Sequence, residues 1–298
     1  MRQYILYFYM LLNINGGFKM CRLLVARFTS EKIELTGEVL NAFVESSKRD
    51  PYLERVSGNR YSAHDDGWGI AVVGYGDNPS VIYHRMLEPI YFENSLRVLD
   101  LINKRIQRYK EVYLLIHSRK SSRNEPYGLE YTHPFIRLME NGALWFAHNG
   151  GAKKEELARE LGVYPWIRVD SELLGYYIMD NIGDCLSINE NLDECVRDAY
   201  VKGLKYIPEN SGYNTGLLAL ISRNPSLYIS HKVAGNPSQT LLDYYKIVAY
   251  TSDEAVIAGS ITIKEYLPSK VSEQFKTWFL EPGLYSIRGK EISLITKL

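Results

Sequence analysis

The chain has 298 residues, of which 46% are hydrophobic and 23% charged, a balance typical of a folded globular protein rather than a disordered one. Lysine plus arginine and aspartate plus glutamate each total 35, so the formal net charge is zero. This balance argues against nucleic acid or an anionic membrane surface as a partner and favours a small molecule.

The three cysteines, Cys21, Cys185 and Cys195, include no C-x-x-C pair. Such an odd and sparse set argues against a secreted disulfide framework and against a zinc site. We therefore expect no bound metal and a reducing, cytoplasmic setting. Cys185 and Cys195 lie in or beside helical stretches and are expected to be small packing residues.

The start of the chain carries a short apolar run, Tyr4 to Leu12, behind a single basic residue, Arg2. The run is shorter than the ~20 residues that span a bilayer, and no A-x-A-like cleavage site follows it. A lipid anchor on Cys21 is disfavoured because Phe18-Lys19-Met20 stands where small residues would be expected. Three alternatives remain for residues 1–20: an upstream start codon chosen in error, a propeptide, or a weak targeting segment.

Beyond this segment, no linker, low-complexity tract or fixed-period repeat divides the chain, so one domain is expected over residues 21–298. Strand-like stretches occur at Leu23–Phe28, Gly69–Tyr75, Val81–Met86, Val112–His117, Leu144–His148, Gly216–Ser222, Leu227–Ser230, Ile247–Thr251 and Ala255–Gly259. Helical spacing occurs at Ile33–Lys48, Leu96–Tyr109, Lys154–Leu161, Ser171–Asn181 and Leu192–Lys205. The connections between many strands are too short for helical crossovers, which favours antiparallel sheets with helices packed outside.

A polar, glycine-rich stretch, His64-Asp65-Asp66-Gly67-Trp68-Gly69, leads directly into an apolar strand. Considered alone, it is typical of a turn in which the glycines supply unusual backbone angles and Trp68 covers the core. By itself, the stretch indicates structure rather than chemistry.

A second polar stretch, Ser118-Arg119-Lys120-Ser121-Ser122, follows the predicted strand Val112–His117. Arg119 could simply be solvated at the strand end. Alternatively, its planar guanidinium could bind a substrate carboxylate, a task for which lysine is a poor substitute.

The third stretch, Ala147-His148-Asn149-Gly150-Gly151, contains Asn-Gly, which is a strong signal for a tight hairpin turn. A helix-forming sequence follows, so a turn from a strand into a helix is the alternative. At such a turn, the Asn149 amide and the Gly150 N–H could hold a developing oxyanion, each donor contributing ~3–4 kcal/mol in a transition state.

The fourth stretch, Val169-Asp170-Ser171-Glu172, precedes a predicted helix. Asp170 or Ser171 could be the N-cap of that helix. The carboxylate of Asp170 could instead bind the ammonium group of a ligand.

Five signatures occur in a definite order along the chain: M-C-R-L-L at Met20–Leu24, D-G-W-G-I-A at Asp66–Ala71, I-H-S-R at Ile116–Arg119 with T-H-P-F at Thr132–Phe135, A-H-N-G at Ala147–Gly150, and D-S-E at Asp170–Glu172. Together they resemble the glutaminase domain of the class II glutamine amidotransferases, which begins with a catalytic cysteine at the mature N-terminus. The resemblance covers at least Met20 to Met179 and continues more weakly at Asn214-Thr215-Gly216 and Val248–Ser252. With no synthase or isomerase domain evident, we expect a stand-alone member.

The resemblance implies a fold and a reaction. The fold is an α+β, four-layer α/β/β/α sandwich of two antiparallel sheets, as in the N-terminal-nucleophile hydrolases. The reaction is hydrolysis of the side-chain amide of glutamine, or of a γ-glutamyl compound, through a thioester on Cys21. No cofactor is implied, and an ammonia-accepting synthase is a possible partner.

The resemblance also assigns roles to residues of this chain. Cys21 would be the nucleophile, with its own α-amino group as the general base. An α-amine has a pKa of ~7.7–8.0 and can accept the thiol proton, whereas a peptide nitrogen cannot, so the mechanism needs a chain that begins at Cys21. Asn149 and Gly150 would hold the oxyanion. The expected substrate-binding residues are Arg119 for the α-carboxylate, Asp170 for the α-ammonium, Ser122 and His148.

The chain departs from the family at two places. Members that feed a sugar or nucleotide synthase usually have A-T-H-G after the arginine, where Lys120-Ser121-Ser122-Arg123 stands here. Ser122 keeps a hydroxyl, but Arg123 replaces the histidine. Tyr131 stands where stand-alone members often have asparagine. A γ-glutamyl amide larger than glutamine therefore stays open as the substrate.

Two other functions stay open as well. One is a regulatory subunit that binds glutamine without turnover, and the other is a different amide hydrolase with an N-terminal cysteine, such as a bile-salt or penicillin amidase. The latter group lacks the paired A-H-N-G and D-S-E signatures. For the amidotransferase interpretation, we expect Cys21, Asn149, Arg119 and Asp170 to converge on one pocket.

Overall fold

A computed structural model of the protein describes residues 20–76, 78–122 and 125–298. The predictions made for residues 1–19 and for Arg123 lie outside the described residues. Within them, the chain forms two antiparallel β-sheets, as the short connections between predicted strands indicated.

The first sheet has seven strands: β1 (Arg22–Thr29), β2 (Trp68–Tyr75), β3 (Pro79–Met86), β4 (Glu111–Ser118), β9 (Ile247–Thr251), β10 (Ala255–Ser260) and β11 (Lys276–Phe279). Their order in the sheet is β11-β9-β10-β1-β4-β2-β3. The second sheet has six strands: β5 (Phe135–Met139), β6 (Gly142–Asn149), β7 (Asn214–Ile221), β8 (Asn224–His231), β12 (Gly283–Arg288) and β13 (Glu291–Thr296). Their order is β13-β12-β8-β7-β6-β5.

The helices are α1 (Thr36–Lys48), α2 (Pro51–Ser57), α3 (Glu93–Ile106), α4 (Lys154–Glu160), α5 (Asp170–Leu186), α6 (Leu192–Gly203), α7 (Gln239–Tyr245), α8 (Ile263–Tyr266) and α9 (Ser269–Ser272). Most of them pack on the outer faces of the two sheets, whereas α2 and α7 pack with Met20 in a separate cluster. Short 3-10 turns occur at Ile33–Leu35, Leu129–Tyr131, Pro165–Ile167 and Leu204–Tyr206. Within the described part of the chain, no helix is long and apolar enough to cross a membrane.

Side-chain alternation along β1 shows how the layers are stacked. Leu23 and Val25 belong to the apolar cluster between the two sheets, which also contains Trp145 of β6. Leu24 and Phe28 point to the opposite face and pack with the buried residues of α1 and α3. A third cluster joins the outer face of the second sheet to α4, α5 and α6. The expected four-layer α/β/β/α sandwich is therefore confirmed.

Some elements were not predicted from the sequence. The predicted helix over Ile33–Lys48 is a 3-10 turn followed by α1. Helices α2 and α7, of seven residues each, were not predicted. Strand β13, in which no residue is buried, was also not predicted.

The structure corrects the interpretation of two cysteines. Cys185, near the end of α5, and Cys195, in α6, form a disulfide with a Cα–Cα distance of 5.5 Å. They were expected to be separate packing residues because spacing alone does not show that the two helices fold back on each other. The antiparallel packing of α5 and α6 brings positions 10 residues apart into bonding distance.

We expect removal of this disulfide to destabilise the protein. A crosslink that closes a short loop lowers the entropy of the unfolded chain and contributes on the order of 3 kcal/mol. The double variant Cys185→Ala/Cys195→Ala should therefore lose about that much free energy of unfolding, measured by urea denaturation without reductant.

Cys21→Ala is the matched control because Cys21 is a free thiol. Reductant should remove the difference in stability between the double variant and the unaltered protein. Equal stability of the two proteins without reductant would contradict the expectation.

Candidate active site

Strand register brings the polar ends of several strands to one end of the sandwich. Arg22 at the start of β1 and Trp68 at the start of β2 both pair with Ser118 at the end of β4. In the facing sheet, Asn149 at the end of β6 pairs with Asn214 at the start of β7. The residues next to these strand ends carry the sequence signatures described above.

Backbone hydrogen bonds join the D-G-W-G stretch to the loop that carries Arg119. The Arg119 N–H donates to the Gly67 carbonyl at 2.8 Å, and the Asp66 N–H donates to the Arg119 carbonyl at 3.0 Å. The Ser121 N–H donates to Asp66 Oδ2 at 2.7 Å. The glycine-rich stretch therefore forms the turn expected of it and also positions the arginine loop.

Cys21 lies where the two sheets meet. Its backbone N–H donates to Asn149 Oδ1 at 3.0 Å. The Asn149 Nδ2 group is buried, and among the described residues it has no hydrogen-bond partner. Because buried polar groups are normally paired, this oriented N–H group is available to a bound ligand.

The thiol of Cys21 is buried, and its Sγ lies 3.9 Å from the Lys120 carbonyl oxygen. Burial raises the pKa of this thiol to about 11, although the charge of Arg119 opposes the shift. The charges of Asp66 and Asp170 add to this rise in the pKa of the thiol. The thiol is protonated at neutral pH and needs a base to become a nucleophile.

Gly150 follows Asn149 in a backbone conformation that favours glycine, with φ of 154°. A Cβ at this position would collide with the carbonyl oxygen of Gly212. Helix α4 begins only at Lys154, so Gly150 belongs to a strand-to-helix turn and not to a hairpin. The helix begins too far along the chain for Gly150 to be part of its first turn.

The Arg119 guanidinium is buried, so the alternative of a solvated strand-end charge is wrong. Its Nη2 donates to the Pro126 carbonyl at 3.0 Å. Its Nη1 is buried without a hydrogen-bond partner in the described part of the chain. A buried cation with an unpaired N–H group is unfavourable by itself and suits an anionic ligand.

Asp170 is the first residue of α5, and the N-cap position is occupied by Val169. Asp170 Oδ1 accepts from the Ser171 N–H at 2.7 Å, and Oδ2 accepts from the Ala152 N–H at 2.6 Å. The carboxylate therefore ties the loop after Gly150 to α5. Each carboxylate oxygen can accept more than one hydrogen bond, so this arrangement is compatible with a ligand ammonium.

His148 was expected to bind substrate, and in the structure both of its ring nitrogens face protein atoms. Its Nδ1 is 3.0 Å from Ser171 Oγ, and its Nε2 is 3.0 Å from the Gly212 carbonyl oxygen. Because a carbonyl only accepts, Nε2 carries a ring proton and donates to the Gly212 carbonyl, while Nδ1 faces the Ser171 hydroxyl. Both ring nitrogens bond to the protein, so His148 positions β6 against α5.

Ser122 lies half-buried in the loop after Arg119. Its carbonyl oxygen accepts from the Glu125 N–H and from Ser121 Oγ, both at 3.2 Å. Tyr131 is half-buried in the 3-10 turn Leu129–Tyr131. Over residues 20–76, 78–122 and 125–298, no group of His, Cys, Asp and Glu side chains could hold a metal ion.

Sequence reasoning missed a buried polar network around the Met20–Cys21 peptide bond. His64 Nδ1 lies 3.2 Å from the Met20 carbonyl oxygen, and His64 Nε2 lies 2.8 Å from Asp50 Oδ2. Asp50 also forms an ion pair with Arg22. Burial raises the pKa of Asp50, but the Arg22 charge and the bond to His64 outweigh it and hold that pKa far below its ordinary value.

The carbonyl of Cys21 belongs to the same network. It accepts from Arg22 Nη1 at 3.4 Å and from Tyr244 Oη at 3.2 Å. The Arg22 guanidinium lies 4.1 Å from the centre of the Tyr244 ring. In the sequence, His64 was interpreted only as part of a turn-forming stretch, and no pattern indicated a role for Tyr244.

The family model described as "Glutamine amidotransferases class-II" matches residues 53–217. The match covers more than half of the 298 residues, and the chain therefore belongs to the class II glutamine amidotransferases. The matched range begins after Cys21 and includes Arg119, Asn149, Gly150 and Asp170.

Two solved structures align with this chain. The structure described as the allosteric regulatory enzyme of purine biosynthesis aligns with a TM-score of 0.55 at 14% identity, covering 92% of this chain and 49% of that one. This likeness shows the fold alone and agrees with the four-layer sandwich. A predicted glutamine amidotransferase from Pseudomonas aeruginosa PA01 aligns with a TM-score of 0.44 at 14% identity, covering 93% of this chain and 97% of that one.

Among curated proteins, the uncharacterized protein MJ1515 of Methanocaldococcus jannaschii is 31% identical over 124 residues. The aligned part is 42% of this chain and 32% of that protein. The chain thus spans about a third of this relative and about half of the purine-biosynthesis enzyme.

We expect Gly150→Ala to distort the candidate site. The new Cβ would collide with the Gly212 carbonyl oxygen, so the variant should lose at least ~2 kcal/mol of unfolding free energy, measured by urea denaturation.

Gly58→Ala is the matched control. Gly58 also has positive φ, at 62°, but its Cβ would have no neighbour within 4 Å. Backbone strain alone should cost it about 1 kcal/mol. If both variants lost the same free energy of unfolding, a steric collision between a Cβ at position 150 and the Gly212 carbonyl oxygen would be contradicted.

Proposed function

We propose that the protein releases ammonia from the side-chain amide of glutamine, or of a γ-glutamyl compound, through a thioester on Cys21. The observation that carries the proposal is the contact between the Cys21 nitrogen and Asn149, whose Nδ2 group stays buried without a partner in the described residues. Membership of the class II family supports the same reaction.

The proposal requires a chain that begins at Cys21, so that residues 1–20 are removed or are never made. The thiol has a pKa raised to about 11 by burial and cannot ionise by itself at neutral pH. A free α-amine, with a pKa of ~7.7–8.0 when unperturbed, would take the thiol proton as Sγ adds to the amide carbon. It would then return the proton to the leaving nitrogen, which departs as ammonia.

Addition of Sγ converts the amide oxygen into an oxyanion. Asn149 Nδ2 and the Gly150 N–H are proposed as its donors, and preorganised donors of this kind are often the largest electrostatic contribution to catalysis. The thioester left on Cys21 is then hydrolysed by water to give glutamate, or the γ-glutamyl acid, and the free thiol.

The α-carboxylate and α-ammonium of the substrate are proposed to bind at Arg119 and Asp170. Both side chains are buried, and their charges act on the pKa of the Cys21 thiol, which supports a common site. The unpaired Nη1 of Arg119 is the group that would meet the carboxylate. We further propose that a separate synthase accepts the ammonia.

A chain beginning at Cys21 should release ammonia from glutamine in a coupled assay. Cys21→Ala should reduce kcat by at least about 10⁴-fold, because it removes the nucleophile. Arg119→Lys should raise KM for glutamine by about 10- to 100-fold, because lysine cannot reproduce the planar fork.

Arg137→Lys is the matched control for Arg119→Lys, since Arg137 lies half-exposed on β5 and pairs with Asp180. It should leave KM unchanged. A chain that retains Lys19-Met20 should be slower by about 10²- to 10⁴-fold, because it lacks the amine base. Glutamine binding without ammonia release from the shorter chain would refute the proposal.

A further inference from the structure

The carbonyl oxygen of Met20 is poorly matched to the buried network around it. His64 Nδ1 faces this oxygen at 3.2 Å, and His64 Nε2 faces Asp50 Oδ2 at 2.8 Å. Both facing atoms are hydrogen-bond acceptors. A neutral imidazole has a single N–H and can therefore donate to only one of them.

The charge around His64 decides which nitrogen carries the proton. Burial lowers the pKa of His64, and the charge of Arg22 lowers it further; these effects outweigh those of Asp50 and of the Met20 carbonyl, which raise it. The bond to the Asp50 carboxylate is charge-assisted and is the stronger of the two. The proton of the neutral ring therefore lies on Nε2, and Nδ1 directs its lone pair at another acceptor, the Met20 carbonyl oxygen.

We propose that His64 is a positioning residue whose Nδ1 accepts a hydrogen bond from the α-amino group of Cys21 in the chain that begins there, directly or through one water molecule. This inference rests on the proposed function, which requires the same amine. In the shorter chain the acceptor that opposes Nδ1 is gone, and the amine supplies donors in its place.

The distances allow this contact. The oxygen and nitrogen of one peptide unit are about 2.3 Å apart, so His64 Nδ1 lies within roughly 5.5 Å of the Cys21 nitrogen. A separation of this size is spanned by one bridging water, or closed by a small movement of the new chain end. The volume occupied by the Met20 carbonyl would hold that water.

The geometry would also aim the base at the thiol. A neutral amine has two N–H groups and one lone pair. Asn149 Oδ1 accepts one N–H from the Cys21 nitrogen at 3.0 Å, and His64 Nδ1 would accept the other. The lone pair is then left for the proton of the Cys21 thiol, as a general base requires.

The titratable and charged side chains around position 64 and around Cys21 stay the same when His64 is replaced. At His64 they are Asp50, Arg22 and His117, and at Cys21 they are Arg119, Asp66, Asp170, Tyr244 and Tyr245. A change in the pKa of the amine that accompanies a substitution at His64 therefore reports on the acceptor at Nδ1.

The test uses His64→Gln and His64→Asn in the chain beginning at Cys21. A glutamine amide lies near the place of Nε2, so it keeps the bond to Asp50 and lacks an acceptor at Nδ1, whereas an asparagine amide restores that acceptor. The pKa of the amine is measured by NMR titration of protein labelled with ¹⁵N-cysteine.

In His64→Gln, we expect the pKa of the amine to fall by about 1, as for loss of one hydrogen bond to a charged group. The acid limb of kcat/KM should move to lower pH with it, and kcat should fall about 10-fold at constant KM. His64→Asn should restore the pKa of the amine, the acid limb and kcat. His84→Gln, on β3 away from Cys21, is the control and should change none of the three.

An amine pKa that is the same in His64→Gln as in the unaltered chain would overturn the inference. The titration does not depend on turnover, so absence of ammonia release from the unaltered chain would refute the proposed function without deciding this point. A crystal structure of the unaltered chain from Cys21 needs neither variant to fold. Nδ1 bonded to the amine, directly or through one water, would support the inference, and Nδ1 bonded elsewhere would overturn it.

Discussion

The face-to-face packing of the two sheets determines which residues can meet at Cys21. The apolar cluster between the sheets contains Leu23 and Val25 of β1 and Trp145 of β6, so these two strands face each other across the interface. The residue before β1 meets the last residue of β6, where the Cys21 nitrogen donates to Asn149 Oδ1 at 3.0 Å. Since protein interiors are close-packed, a change in the thickness of this layer would shift one partner of the contact relative to the other.

A buried ion pair between Arg22 and Asp50 lies next to the contact between Cys21 and Asn149. Arg22 and Asp50 are both fully buried, and a buried pair is tolerated only when additional hydrogen bonds satisfy both charges. Asp50 Oδ1 accepts from the Tyr52 and Leu53 N–H groups and from Thr262 Oγ1. The Asp50 carboxylate therefore has several hydrogen-bond donors, whereas the Met20 carbonyl oxygen faces the acceptor nitrogen of His64. A chain beginning at Cys21 would lack this carbonyl.

The sequence allowed the overall fold and the candidate site to be predicted in different degrees. Strands such as β1 and β6 are long and apolar, so they were identified, and family signatures then indicated how they are arranged. Asn149 and Arg119 stand in those signatures, next to strand ends. The disulfide between Cys185 and Cys195 and the contact of Tyr244 with the Cys21 carbonyl depend on how distant elements pack, and neither leaves a local pattern.

The role of His148 shows a second limit. A histidine in a catalytic signature is easily interpreted as a ligand contact, because sequence order does not reveal what its ring nitrogens meet. In the structure they meet Ser171 and Gly212, so the residue supports the site from within the protein. His64 shows the opposite case, since a residue that resembled part of a turn lies in the network that surrounds the Met20–Cys21 bond.

The central claim is that the functional chain begins at Cys21, with a free α-amine beside Asn149 and His64. The most direct measurement is the intact mass of active protein purified from its native source. The account predicts a chain whose first residue is Cys21, whereas an active protein whose mass includes Met20 would contradict it.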